Sequence, residues 1–151
     1  MKFHSQFWLL PVVILFLASP ALGADKDLKS LMGENFQNLH IILNDLITSQ
    51  YQTLIKDAGI IENHADKLAA TTPSSAVTEQ QRELFAAYAN LLKMRTRHLI
   101  DVAQALQERD QTKQTPGVMN VDYLRVVIAE HFGQMITTCV LCHNQFRRRV
   151  L

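Results

Sequence analysis

Two cysteines and a histidine near the C-terminus are spaced for one specific chemistry. The segment Cys139-Val140-Leu141-Cys142-His143 has the C-x-x-C-H form of a c-type haem attachment site. Two thiols must add to two vinyl groups on one side of a porphyrin, and residues i and i+3 of a helix lie on the same face. His143 follows one turn after Cys139, where its imidazole can bind the iron. The motif therefore predicts one covalently attached haem per chain, with His143 as an iron ligand.

The same cysteine pair allows two other interpretations, a redox-active dithiol and half of a metal site. A thioredoxin-like dithiol needs a βαβ context and a helix N-terminus that lowers the thiol pKa, whereas this pair lies late in the last predicted helix. A closed structural zinc site needs four ligands, usually with a second cysteine pair. The chain has only two cysteines, and its histidines are scattered. A haemless dithiol or metal-binding helical protein is therefore the last alternative.

The N-terminus has the layout of a secretory signal peptide. Lys2 supplies a basic start, residues 7–18 are almost wholly apolar, and Ala21-Leu22-Gly23 is a small-x-small cleavage signal. The apolar run is too short to span a bilayer, which needs about 20 residues. An uncleaved N-terminal anchor is the alternative. We predict cleavage after about Gly23, one mature domain over 24–151, and a periplasmic location.

Charge in the mature chain is balanced. Cleavage removes Lys2, which leaves 14 basic and 14 acidic side chains. A strong electrostatic attraction to nucleic acid or to an anionic membrane is not expected from this balance. The sequence shows no paired carboxylates, no nucleophile with its base and no phosphate-binding loop in a suitable context, so an enzymatic role is not predicted.

Apolar residues recur at three- and four-residue spacing through the mature chain, which predicts four amphipathic helices. The boundaries are marked by a weak break at 48–50, a loop at 71–75, a capping box of Thr78 with Gln81, and a polar loop at 109–117. No segment shows sustained apolar and polar alternation, so no strand is predicted. The short connections favour antiparallel neighbours. We therefore predict an all-α fold, an antiparallel four-helix bundle with the haem near its C-terminus.

The same spacing predicts which side chains face the core. On the first helix, which starts near Asp25, the predicted core residues are Leu28, Leu31, Met32, Phe36, Leu39, Leu43 and Leu46. On the last helix, which starts near Asn120, they are Leu124, Val127, Ile128, His131, Phe132, Met135, Thr138, Cys139, Cys142 and Phe146.

The late C-x-x-C-H motif and the four predicted helices make the mature chain resemble the class II cytochromes c, the cytochrome c-prime family. That family carries its C-x-x-C-H motif near the C-terminus of a four-helix bundle. The resemblance rests on Phe132-Gly133, Thr138 and the segment 139–147, and at the other end on Leu31-Met32-Gly33-Glu34-Asn35-Phe36. The chain departs from the family in lacking its tryptophan-bearing stretch before the third helix, since Trp8 is the only tryptophan.

The resemblance implies that the sixth iron position is filled, or left open, by the first helix. Met32 is the candidate ligand, because a thioether is a recognised axial ligand. Alternatively Met32 fills space in the core, and Leu28 one turn earlier is the apolar residue beside an open iron. His131 lies 12 residues before His143 on one helix, about 18 Å away, so it cannot reach the same iron and is expected to be a satisfied core or boundary histidine.

These possibilities correspond to two functions. A ligated iron predicts a carrier of single electrons between redox partner proteins, and an open iron predicts a protein that binds small gases such as nitric oxide or carbon monoxide. The resemblance implies that Arg147 pairs with a haem propionate, although a cation at a helix C-terminus is also favourable by itself. Homodimers formed by helix pairs are common in that family, so a homodimer is raised as well.

Overall fold

The chain folds entirely into helices in the part that the structure describes. The structure is a computed structural model that describes residues 21–71, 73, 76, 78–112 and 120–147. These residues form four helices and no strand: α1 (Ala21–Ile47), α2 (Tyr51–Ala69), α3 (Glu79–Thr112) and α4 (Val121–Arg147). The all-α prediction is confirmed. Residues 1–20 of the predicted signal peptide lie outside the described part, and its cleavage stays a prediction.

The break between α1 and α2 falls where the sequence places it. Gln50 N donates to the Asp45 carbonyl at 2.8 Å, and Thr48 N donates to the Asn44 carbonyl at 2.9 Å, so the end of α1 is closed by its own backbone. Ser49 has a φ of 57°, in the left-handed region that reverses the chain with few residues. This short turn places α2 directly beside α1.

A capping box starts α3, as predicted. Gln81 N donates to Thr78 Oγ1 at 3.3 Å, and Thr78 N donates to Gln81 Oε1 at 3.1 Å. The far end of α3 differs from the prediction, because the helix continues through Arg109 to Thr112. The first polar residues that the sequence assigned to a loop therefore form the last turn of α3, where Asp110 and Gln111 are exposed and a polar side chain is as stable as in a loop.

Consecutive helices run in opposite directions. The most extensive interface joins α2 to α3. Along it Glu62 pairs with Arg97 and Asp66 with Lys93, so residue numbers rise on one helix as they fall on the other. The same order holds between α3 and α4, where Phe85 contacts Phe146 and Arg95 Nη1 donates to the Gln134 carbonyl at 2.6 Å. By contrast, α1 and α4 contact each other only slightly.

The core lies mainly between α2, α3 and α4, and the predicted inward face of α4 is confirmed at its most buried positions. These are Leu124, Ile128, Phe132, Met135, Thr138 and Phe146. By length and composition alone, Val121–Phe146 could cross a membrane, and it is the one such helix among the described residues. One side of this helix packs on α3 and its C-terminal turns line the cavity described below, whereas Tyr123, Val126, Ile136 and Leu141 are exposed.

The predicted face of α1 is wrong in part. Phe36 is 63% exposed and Leu43 is 42% exposed, whereas Asn35, Ile42 and Asp45 are buried. The buried residues Leu28, Asn35 and Ile42 recur every seven residues, which is the stripe that faces α2. The apolar pattern alone could not separate this stripe from the neighbouring one, because α1 carries apolar residues on both.

Candidate functional site

A cavity of about 980 Å³ separates the N-terminal half of α1 from the C-terminal turns of α4, and is called the α1–α4 cavity here. Its volume is at the upper end of the roughly 300–1,000 Å³ typical of ligand and cofactor sites. The slight contact between α1 and α4 follows from this space.

The wall contributed by α4 contains the whole C-x-x-C-H motif. Cys139, Cys142 and His143 all line the α1–α4 cavity. They do so because the motif lies within one uninterrupted helix, where positions i, i+3 and i+4 share a face. The structure thus places the two thiols and the imidazole along one cavity, and their role in binding a haem stays a prediction.

The opposite wall is the segment of α1 that holds the predicted sixth ligand. Met32 lines the cavity and is partly buried against the core, and Leu28 lines it one turn earlier. Phe36 lines it one turn later, which accounts for much of its exposure. Gly33 lines it as well, and a Cβ atom built at this glycine would meet no atom within 4 Å.

The third wall and the ends of the cavity are mostly apolar. Phe85, Tyr88, Ala89 and Leu92 line it from α3, and the ring of Phe85 meets that of Phe146 edge to face with centroids 5.2 Å apart. Leu68 of α2 and the buried Pro73 complete the lining. Such a lining offers water few hydrogen-bonding groups and lowers the effective dielectric constant beside it.

Burial governs the chemistry of the two thiols. It raises the pKa of Cys139 to about 11 and that of Cys142 to about 12, the latter also because the charge of a Cys139 thiolate would oppose a second one. Both cysteines are free. A nucleophilic dithiol requires a lowered thiol pKa, so the structure gives the redox-active dithiol no support.

A buried polar pair joins the α1 wall to α2, and the sequence pattern did not predict it. Asn35 Oδ1 and His64 Nδ1 are 2.8 Å apart, and both residues are buried. His64 Nε2 lies 3.6 Å from Glu34 Oε2. The seven-residue spacing of Leu28, Asn35 and Ile42 was the available signal for Asn35. It was missed because a polar residue is normally assigned to the solvated face.

The other predicted residues have mixed outcomes. His131 is not fully satisfied, because its Nδ1 is buried without a hydrogen-bond partner among the described residues. The centroid of its ring lies 5.4 Å from the centroid of the His98 ring. The sequence did not suggest this neighbour. Arg147 is the last residue of α4, and its side chain lies outside the described part, so its role stays a prediction.

The residues of the α1–α4 cavity fit a haem better than a bare metal ion. The described residues contain no group of three or more histidine, cysteine, aspartate or glutamate side chains that could hold a metal. A porphyrin needs an apolar slot, two thiols on one wall and an imidazole beside them, and the α4 wall supplies the last two. Comparisons with protein-family models, curated proteins and solved structures found no match to this chain.

Proposed function

We propose that this chain is an exported c-type cytochrome, with one haem c bound covalently through Cys139 and Cys142 and with His143 as an axial ligand. One observation carries the proposal: the complete C-x-x-C-H motif on α4 and Met32 on α1 line the same mostly apolar cavity. The fold is then an antiparallel four-helix bundle in which the haem fills the space between α1 and α4. This arrangement also agrees with the resemblance to the class II cytochromes c.

The function that these residues support best is transfer of single electrons between redox partner proteins. When bound, the haem supplies an iron that alternates between the ferrous and ferric states. The chain would hold it by two thioethers from Cys139 and Cys142, provide the His143 imidazole on one side, and surround it with mostly apolar walls. Met32 offers a thioether from the opposite wall, which favours the reduced state and raises the potential.

Gas binding is the second candidate, and the position of Leu28 favours it. Leu28 is nearly buried and lines the α1–α4 cavity one turn before Met32. If Leu28 rather than Met32 faces the iron, the sixth position is open to nitric oxide or carbon monoxide. Met32 is only partly buried in the core, so its flexible side chain can turn either way.

The remaining parts of the proposal rest on the sequence. The signal peptide directs the chain to the periplasm, where c-type haem attachment would take place. Arg147 pairs with a haem propionate, as the family resemblance implies. The partners are redox proteins and not nucleic acid, in keeping with the balanced charge. The family resemblance also raises a homodimer.

Covalent haem is the property to test first. The full chain is produced with its signal peptide in a host that matures c-type cytochromes, then separated on a denaturing gel and stained for haem. We expect a haem-positive band and a mass increase of one haem, both lost in the Cys139→Ser/Cys142→Ser double variant. A folded, unlabelled chain from a host that matures other c-type cytochromes would overturn the proposal.

A cavity-filling pair of variants tests the location. Gly33 and Gly133 are both helical, and a Cβ atom at either would meet no atom within 4 Å, but only Gly33 lines the α1–α4 cavity. Gly33→Phe is expected to abolish haem attachment and Gly133→Phe to leave it intact. Equal labelling of both variants would place the haem elsewhere.

The visible spectrum, with and without carbon monoxide, separates the two functions. A low-spin spectrum that carbon monoxide does not change supports electron transfer, and Met32→Leu should then make the iron reactive. The matched control is Met94→Leu, because Met94 is exposed on α3 and does not line the cavity. A high-spin spectrum that shifts with carbon monoxide in the unsubstituted chain would make gas binding the function.

A further inference from the structure

A buried amide faces the α1–α4 cavity from the α1 wall. Asn35 is 5% exposed, and its partner His64 on α2 is 6% exposed. Because an amide oxygen can only accept, His64 Nδ1 must carry the proton and donate it to Asn35 Oδ1 over 2.8 Å. Glu34 Oε2 lies 3.6 Å from the other ring nitrogen, Nε2.

The amide nitrogen of Asn35, Nδ2, has no hydrogen-bond acceptor on the protein among the described residues. This atom is not fully occluded. Since Asn35 lines the α1–α4 cavity, the open space that Nδ2 reaches is that cavity. An amide donor needs an acceptor, so Nδ2 hydrogen-bonds to whatever occupies the cavity beside it, either water or a bound ligand.

The position of Asn35 on α1 indicates where in the cavity such an acceptor would lie. Asn35 follows Met32 by three residues, so the two side chains lie one turn apart on the same wall. Leu39 and Leu92, which also line the cavity, offer no hydrogen bond. The hydroxyl of Thr138 already donates to the Gln134 carbonyl at 2.9 Å. The amide of Asn35 is therefore a free donor beside the position that Met32 or an external ligand would take.

We propose that Asn35 is a ligand-binding residue, which donates a hydrogen bond to a small ligand on the α1 side of the haem whenever Met32 does not fill that position. This inference rests on the proposed haem site. It assigns a ligand class: small anions and polar diatomic molecules with a strongly accepting atom are favoured over carbon monoxide, a weak acceptor. His64 is a positioning residue, because its bond to Oδ1 turns the Nδ2 hydrogens toward the cavity.

Fluoride and carbon monoxide are suitable probes, because fluoride needs a donor and carbon monoxide does not. The background is the full, haem-loaded chain with Met32→Ala, which opens the position. Fluoride is titrated against the ferric protein and carbon monoxide against the ferrous protein by visible absorption. We expect Asn35→Leu to weaken fluoride binding about tenfold or more, the effect of losing a hydrogen bond to a charged group, and carbon monoxide binding less than about threefold.

Two further variants and one control complete the design. Asn35→Asp is isosteric and keeps an acceptor for His64 but has no donor, so it must also weaken fluoride binding, and it replaces Asn35→Leu if that variant does not fold. His64→Leu is expected to lower the ratio of fluoride to carbon monoxide affinity in the same direction. Asn38→Leu is the control, since Asn38 is half-buried on α1 but does not line the cavity.

The outcomes separate this inference from the proposed function. No covalent haem in the unsubstituted chain overturns both. Covalent haem, with fluoride affinity unchanged in Asn35→Leu and Asn35→Asp, overturns only the role of Asn35. If Met32→Ala takes up no haem, cyanide binding to the ferric unsubstituted chain is compared with and without the Asn35 variants, and equal cyanide affinities again refute that role.

Discussion

The ring of Phe85 on α3 meets the ring of Phe146 on α4 edge to face, with centroids 5.2 Å apart and an angle of 88° between the planes. Both residues are buried, and both line the α1–α4 cavity. Phe146 lies in the turn that follows Cys142 and His143. This contact therefore packs the end of α4 that carries the C-x-x-C-H motif against α3, at the border of the cavity.

Removal of the Phe146 ring should destabilise the domain. Phe146→Ala deletes a buried aromatic side chain, for which about 3–5 kcal/mol of unfolding free energy is typical. The measurement is denaturant unfolding of the haem-loaded protein, followed by circular dichroism. Leu141→Ala is the control on the same helix, because Leu141 is half exposed and outside the cavity lining, so a change within about 0.5 kcal/mol is expected. Equal effects would contradict the packing role of Phe146.

The two thiols should be unreactive before haem attachment. The thiolate is the nucleophile, and burial raises the pKa of Cys139 to about 11 and that of Cys142 to about 12. Iodoacetamide should therefore alkylate the folded, haem-free chain slowly near pH 7, with a rate that climbs toward pH 11. The measurement is the pH profile of alkylation by mass spectrometry, with helicity checked at each pH. Alkylation faster than that of free cysteine at pH 7 would revive the dithiol interpretation.

Asp45 should make stability depend on pH. This buried carboxyl near the end of α1 has a raised pKa, chiefly because burial disfavours its charge and also because Asp57 is near, despite a bond from Thr53. The folded state thus holds a proton that the unfolded state has released, so this group stabilises the fold less as the pH rises through its raised pKa. Its Oδ2 is buried without a partner among the described residues.

Asp45→Asn removes this penalty at neutral pH. If the gain is about 1 kcal/mol, the melting temperature rises by roughly 4 °C at pH 7, and the difference from the parent shrinks toward acid pH. Calorimetry at pH 7 and pH 4 measures both values. Asp57→Asn serves as the comparison, because Asp57 acts on Asp45 only as a nearby charge. An unchanged or lower melting temperature at pH 7 for Asp45→Asn would contradict the assignment.

The capping box should contribute measurably to the start of α3. Thr78 and Gln81 satisfy each other's backbone N–H groups. Loss of an N-cap side chain typically costs about 1 kcal/mol, so Thr78→Ala should lower stability by that order. A double-mutant cycle with Gln81→Ala should show a coupling between the two residues. Strictly additive losses would mean that the two hydrogen bonds act independently.

Local sequence signals determined the helices and the motif. The number of helices, the turn at 48–50 and the capping box at Thr78 followed from short-range rules, because helix periodicity and end capping depend on residues within about one turn. The placement of Cys139, Cys142 and His143 on one wall followed for the same reason: their spacing and an unbroken helix are sufficient to align them.

Only the tertiary structure decided which face of α1 points inward and that part of this face borders the α1–α4 cavity. Apolar residues on α1 fall on two adjacent stripes, and one of them, with Met32 and Phe36, lines the α1–α4 cavity instead of the close-packed core. The burial of Asn35 depends on His64, 29 residues away on α2. Periodicity shows that a side is apolar. Whether protein, solvent or a cofactor covers that side depends on how helices distant in sequence pack together.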